Sequence, residues 1–139
     1  MGLDMMLDKH YYHSKHGKDG KGRKKKVNKL EVKETVCEAM YWRKSNEIHR
    51  WFVENVQNDI DDCGTYEVSR EQLKELLGLV RKALIEKDTS ILPTTSGFFF
   101  GSTEYDNYYW QDMERTEKEL SALLENDDGE GWFTYHASW

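Results

Sequence analysis

The apolar residues of this chain change their repeat part-way along, and that change restricts the fold more than any other feature. Over residues 2–13, Leu3, Met5 and Leu7 fall on one side of an extended chain and Gly2, Asp4, Met6 and Asp8 on the other, the alternation of a half-buried strand. Residues 27–38 alternate again, with Leu30, Val32, Glu34 and Val36 opposed to Lys29, Glu31, Lys33 and Thr35. The two segments are expected to pair as a β-hairpin with the first set of each inward. From Tyr41 the spacing lengthens: Tyr41, Ser45, Ile48, Phe52 and Val56 recur at helical intervals, with Trp51 beside them. Residues 41–57 are therefore read as an amphipathic helix.

The remaining elements follow from local signals. GTYEVS at 64–69 reads as a short strand, and Ser69 with Gln72 spells a capping box. It opens a second helix through about Lys87, with Leu73, Leu76, Leu77, Val80 and Leu84 inward. FFFGSTEY at 98–105 reads as a strand broken at Gly101. Asp106 then caps a third helix in which Tyr109, Met113, Leu120, Leu123 and Leu124 repeat at helical spacing. WFTYHASW supplies a last strand. The order ββ-α-β-α-β-α-β predicts an α+β fold: one mixed or antiparallel sheet of about five short strands covered by three helices. Its 139 residues make a single domain, with a flexible basic loop at about 14–26. An aromatic content of 13% excludes a disordered chain.

Charge is unevenly distributed. The net −6 hides a segment of +8 over residues 9–33 and one of −8 over residues 99–130. GKDGKGRKKK at 17–26 is either a solvated basic turn or a contact for phosphates or an acidic partner. Overall acidity argues against a specific duplex nucleic-acid binder. The opening residues form neither a signal peptide nor a membrane span, and Met6 breaks the myristoylation pattern that Gly2 would begin. Cys37 and Cys63 stand outside any CxxC pair, which fits a reduced, cytoplasmic compartment.

Three segments hold the candidate site residues. Arg43, Asn46 and Arg50 share one face of the first expected helix, with His49 alongside and Trp42 and Trp51 flanking. Guanidinium, amide and imidazole groups beside indoles suit a planar anionic ligand such as a nucleotide, whereas the plainer reading is a solvated helix face. The 62–70 turn adds Asp62 and Arg70. The 95–106 loop adds Ser96, Phe99, Ser102, Glu104, Tyr105 and Asp106, either a ligand wall or a structural turn. Ser138 and Trp139 would close the cavity if the last strand lies nearby.

Other chemistries find weaker patterns. His10, His13 and His16 would form a ligating row on a helix, but this segment reads as strand entering a loop. Asp59, Asp61 and Asp62 lack the glycine and spacing of a calcium loop. GxxxxGK[ST] is absent, and no metal or cofactor is expected. An enzymatic alternative uses His49 with Glu104 or Cys63 in a small hydrolase or nucleotide-modifying enzyme. A third reading is a structural or oligomerising role, with Tyr108, Tyr109 and Trp110 in self-contacts.

The blocks GLDMMLDK, YWRKSNEIHRWFVENVQ, DDCGTYEVSREQL, LPTTSGFFFGSTEYDNYYWQD and HASW resemble a family of small proteins of tailed phages and bacterial prophages. The resemblance covers most of the chain outside the basic loop. Met6 stands where the opening block of that family is expected to carry an aromatic residue. The resemblance implies a virus-encoded accessory protein in the bacterial cytoplasm, of the kind that inhibits a host factor or counters a host defence, including by sequestering nucleotide signals. It brings no catalytic residue. The combined expectation is a non-enzymatic binding protein with a recessed polar and aromatic site for a nucleotide-like anion or a host protein, and with homo-oligomerisation open.

Overall fold

A computed structural model describes residues 2–15, 25–97 and 100–139. The first alternating segment forms β1 (Asp4–Tyr12), which buries Met5, Leu7 and Lys9 while Asp4, Met6, Asp8 and His10 stay partly exposed. Of the expected partner 27–38, residues 34–38 do pair with it. Residues 26–31 instead form a separate ribbon of β2 (Lys26–Val27) and β3 (Leu30–Glu31), joined through Asn28 and Lys29, both at positive φ. The pairing strand is β4, Glu34–Arg43. Tyr41, Trp42 and Arg43 are thus strand rather than helix.

A β-bulge explains why the expected inward set fails. Leu7 faces Met40 but Asp8 faces Glu38, so Ala39 is left over. The extra residue reverses the phase of β4. Glu34, Val36 and Glu38 lie on the outer face with His10, whereas Met40 and Trp42 lie on the inner one. Leu30 and Val36, read as inward, are 72% and 54% exposed.

Three helices follow among the described residues: α1 (Asn46–Asn55), α2 (Arg70–Glu86) and α3 (Asn107–Glu125), with β5 (Thr65–Val68) before α2 and β6 (Trp132–Ser138) after α3. The Ser69 hydroxyl accepts from the Gln72 N–H, and the Gln72 side chain accepts from the Ser69 N–H. Asp106 accepts from the N–H groups of Tyr108 and Tyr109 and starts α3. Residues 100–105 are not strand, and the other two residues of the strand expected at 98–105 lie outside the described residues. The result is an α+β domain with one antiparallel sheet of order β4-β1-β6-β5 beside the small ribbon.

The core takes its strand residues from the sheet's inner face: Met5, Leu7, Met40, Trp42, Phe133, Tyr135 and Ala137 meet Ile48, Phe52, Leu73, Leu76, Met113 and Leu120 of the helices. Phe52 stacks on Tyr135 at 3.8 Å, and the Trp42 indole donates to the Thr116 hydroxyl at 2.9 Å. Each such side chain fully withdrawn from water is worth about 1.5–3 kcal/mol. At the end of the sheet where β6 begins, Lys9 bridges Asp127 and Asp128 (2.9 and 2.7 Å), and Arg70 pairs with Asp127 at 2.5 Å. Gly131, at φ +66, lets β6 start there, since a Cβ would come within 2.1 Å of the His10 carbonyl oxygen. No helix among the described residues is long and apolar enough to cross a membrane.

Candidate functional site

The site is organised by one amide. After β4, Lys44 takes a left-handed conformation and donates its N–H to the Leu3 carbonyl at 2.8 Å, which turns the chain into α1. Asn46 then sits 1% exposed at the first position of α1. Its Nδ2 donates to the carbonyls of Phe100 (3.0 Å) and Ser102 (2.9 Å), and its Oδ1 accepts from the Thr95 N–H (3.1 Å). These bonds staple Thr95, Phe100 and Ser102 over the helix start. Further along, the Thr94 hydroxyl donates to the Thr103 carbonyl, and the Tyr105 hydroxyl accepts from the Thr94 N–H. Asn46 is therefore a structural clamp whose hydrogen-bonding groups are already spent.

Two depressions lie around this clamp. The first, about 300 Å³, is lined by Arg43, Lys44, Glu47, Thr94, Gly101, Ser102, Glu104, Asp106, Tyr108, Tyr109 and Asp112. Glu47 is 3% exposed, and its Oε1 has no hydrogen-bond partner among the described residues. Burial pushes the Glu47 carboxyl up to about 8, helped by the negative Asp112 and opposed by the residue's own N–H. It is therefore protonated at neutral pH. Burial also raises Asp112, against the pull of the Ser45 hydroxyl and of Arg115. Tyr109 donates to the Leu92 carbonyl at 2.7 Å, while Tyr108 is 75% exposed at the rim.

The second depression, about 230 Å³, is lined by His49, Arg50, Val53, Glu54, Asp59, Asp61, Thr95, Ser96 and Phe100. His49 is almost fully buried, and both ring nitrogens are engaged. Nδ1 lies 2.7 Å from the Tyr135 hydroxyl and Nε2 lies 3.0 Å from Asp61. Burial lowers the imidazole's pKa, with Asp61 opposing. Asp61 also accepts from the Trp139 indole at 3.1 Å. This chain ties α1, the 57–61 turn and the end of β6 together.

The structure thus divides the residues singled out in the sequence. Arg43, Ser102, Glu104 and Asp106 meet in the first depression, while His49, Arg50 and Ser96 line the second. Trp42 is a core residue, fully buried, and cannot stack on a ligand. Asp62 closes its own turn, accepting from the Gly64 N–H and the Tyr66 hydroxyl. Arg70 is spent on Asp127 and on the carbonyls of Glu130 and Gly131. Tyr105 packs edge-on against Tyr109 on the outer surface. Ser138 is exposed at the end of β6 and Trp139 packs near Phe100. Cys63 is exposed in a turn, at positive φ. Phe99 and the basic segment 16–24 lie outside the described residues.

Sequence reasoning missed Lys44, Glu47 and Asp112. A glutamate in a helix's first turn ordinarily faces solvent and complements the helix dipole, so no local signal marked Glu47 as buried. Among the described residues, no group of three His, Cys, Asp or Glu side chains is arranged to hold a metal ion. No family model, curated protein or solved structure matches the chain.

Proposed function

We propose that this protein is a non-enzymatic accessory binding protein of the phage and prophage kind its sequence blocks resemble, working in the bacterial cytoplasm. Its site is the first depression, a recess for a small polar ligand. One observation carries this reading: the Glu47 carboxyl is withdrawn from water at the floor of the recess with Oε1 unpaired among the described residues. A buried acceptor without a partner costs about 1–3 kcal/mol, and a ligand that donates to it recovers that cost. Arg43 and Lys44 offer an anionic or accepting part of the same ligand a place at the mouth. A volume of about 300 Å³ suits a molecule of nucleotide or amino-acid size.

Binding is favoured over hydrolysis by where the enzymatic candidates lie. His49 has both nitrogens occupied, Glu104 lines a different depression, and Cys63 lies in an exposed turn outside both. The test is native mass spectrometry of protein purified from a bacterial host. The expected result is a co-purifying small molecule that Arg43→Ala and Glu104→Ala lose, with melting temperatures close to wild type. Both side chains are exposed at the rim, so neither variant should disturb the core. A small molecule retained by both variants overturns this assignment of the site.

A further inference from the structure

We infer that the Glu47 recess, taken as the binding site proposed above, recognises an N–C–NH₂ edge: the planar, donor-bearing face of a guanidinium group or of an amino-bearing nucleobase. Four carboxyl groups line the recess, but they are not equivalent. Asp106 already accepts from two N–H groups at the start of α3, and Glu104 is exposed at the rim. Glu47 and Asp112 remain, on different helices and both lining the recess. Two carboxyls lining one recess offer acceptors to a group with several N–H donors, as guanidinium and aminopyrimidine edges have. A neutral Glu47 also offers one donor and one acceptor, which complements an amino group beside a ring nitrogen.

The other walls favour a flat group with an anionic tail. Tyr108 and Tyr109 line the recess and supply aromatic surface for a planar head. Lys44 packs its stem against Gly101, and its ammonium has no ion-pair partner among the described residues. It is available to a phosphate or carboxylate. The guanidinium of Arg43 is only 3.4 Å from Asp4 and is largely exposed. An oxo-edged base such as uracil presents no amino group and would leave the buried Oε1 with less to accept.

Isothermal titration of the full chain with GMP, UMP, arginine and inorganic phosphate separates the possibilities. The expected result is that GMP or arginine binds at least tenfold more tightly than UMP or phosphate. Glu47→Leu, which removes both donor and acceptor, and Asp112→Asn should each lose most of that margin while leaving phosphate binding unchanged. Tight GMP with weak arginine identifies a nucleobase, and the reverse identifies a guanidino compound. UMP or phosphate binding as tightly as GMP, with Glu47→Leu without effect, overturns the head-group inference but leaves the recess as a binding site. Absence of binding by all four probes to a folded wild-type chain also overturns it. The mass-spectrometric result then decides the recess separately. If Glu47→Leu fails to fold, Asp112→Asn carries the test, because Asp112 is only partly buried.

Discussion

Replacing Glu47 by glutamine should make the protein more stable in alkaline solution. In the folded chain Glu47 keeps its proton up to about pH 8, against 4.5 for an ordinary glutamate. Between those values the native state holds a proton that the unfolded state has released, so stability must fall as pH rises through that window. At about 1.4 kcal/mol per pH unit, the full window amounts to about 5 kcal/mol. Glutamine has nearly the same shape and does not titrate. Below pH 4.5 the two proteins should differ by no more than about 1 kcal/mol, the worth of one altered hydrogen bond. Above pH 8 the variant should lead by most of the window. Urea denaturation midpoints of both proteins between pH 4 and pH 9 measure the difference directly. Other groups titrate in both chains and cancel in the comparison. Parallel stability curves would mean that Glu47 is ionised or solvated in the native state, and the description of the recess floor would be wrong.

Two further outcomes follow from the same structure. Asn46→Asp keeps the shape of the side chain but turns an acceptor toward the Phe100 and Ser102 carbonyls, so it should cost about 2–4 kcal/mol. Amide exchange at Thr95 should rise, and unchanged protection there would refute the clamp. Asp127→Asn removes a carboxylate shared by Lys9 and Arg70, which should cost about 3 kcal/mol at neutral pH. Arg70 holds the Asp127 carboxyl well below the ordinary range, with Lys9 reinforcing it and burial opposing. That stability is present above the ordinary carboxylate pKa and is lost as pH falls through the depressed one. The gap between wild type and variant, followed by acid titration, should therefore narrow below pH 4.

How much of this was legible depends on the range of the interaction. Ser69 with Gln72 and Asp106 before α3 are contacts within one turn, and their spacing located two helix starts correctly. The alternation of Leu3, Met5 and Leu7 was equally local. The end of β4 was not, because Trp42 and Met40 stand two apart while Tyr41 and Ser45 stand four apart, and both repeats fit the same stretch. Packing of Trp42 on Phe52 and its bond to Thr116, 74 residues away, favour the strand. The bulge at Ala39 has no sequence mark of its own. The site divides the same way: Arg43 and Glu104 were recognisable by type, whereas Glu47 is buried in a recess whose other walls include Gly101, Tyr109 and Asp112, far along the chain. Arg70 was misread because its partner Asp127 is 57 residues distant.

The sheet order also has a consequence for assembly of the chain. β6 lies between β1 and β5, and β5 pairs with no other strand among the described residues. On a ribosome, β5 and the outer half of the sheet must wait unpaired until residues 132–138 emerge. β1 can find only β4 before then. Closing the β1–β6 ladder joins segments more than 100 residues apart, a non-local step that slows folding and leaves strand edges open to other chains in the interval.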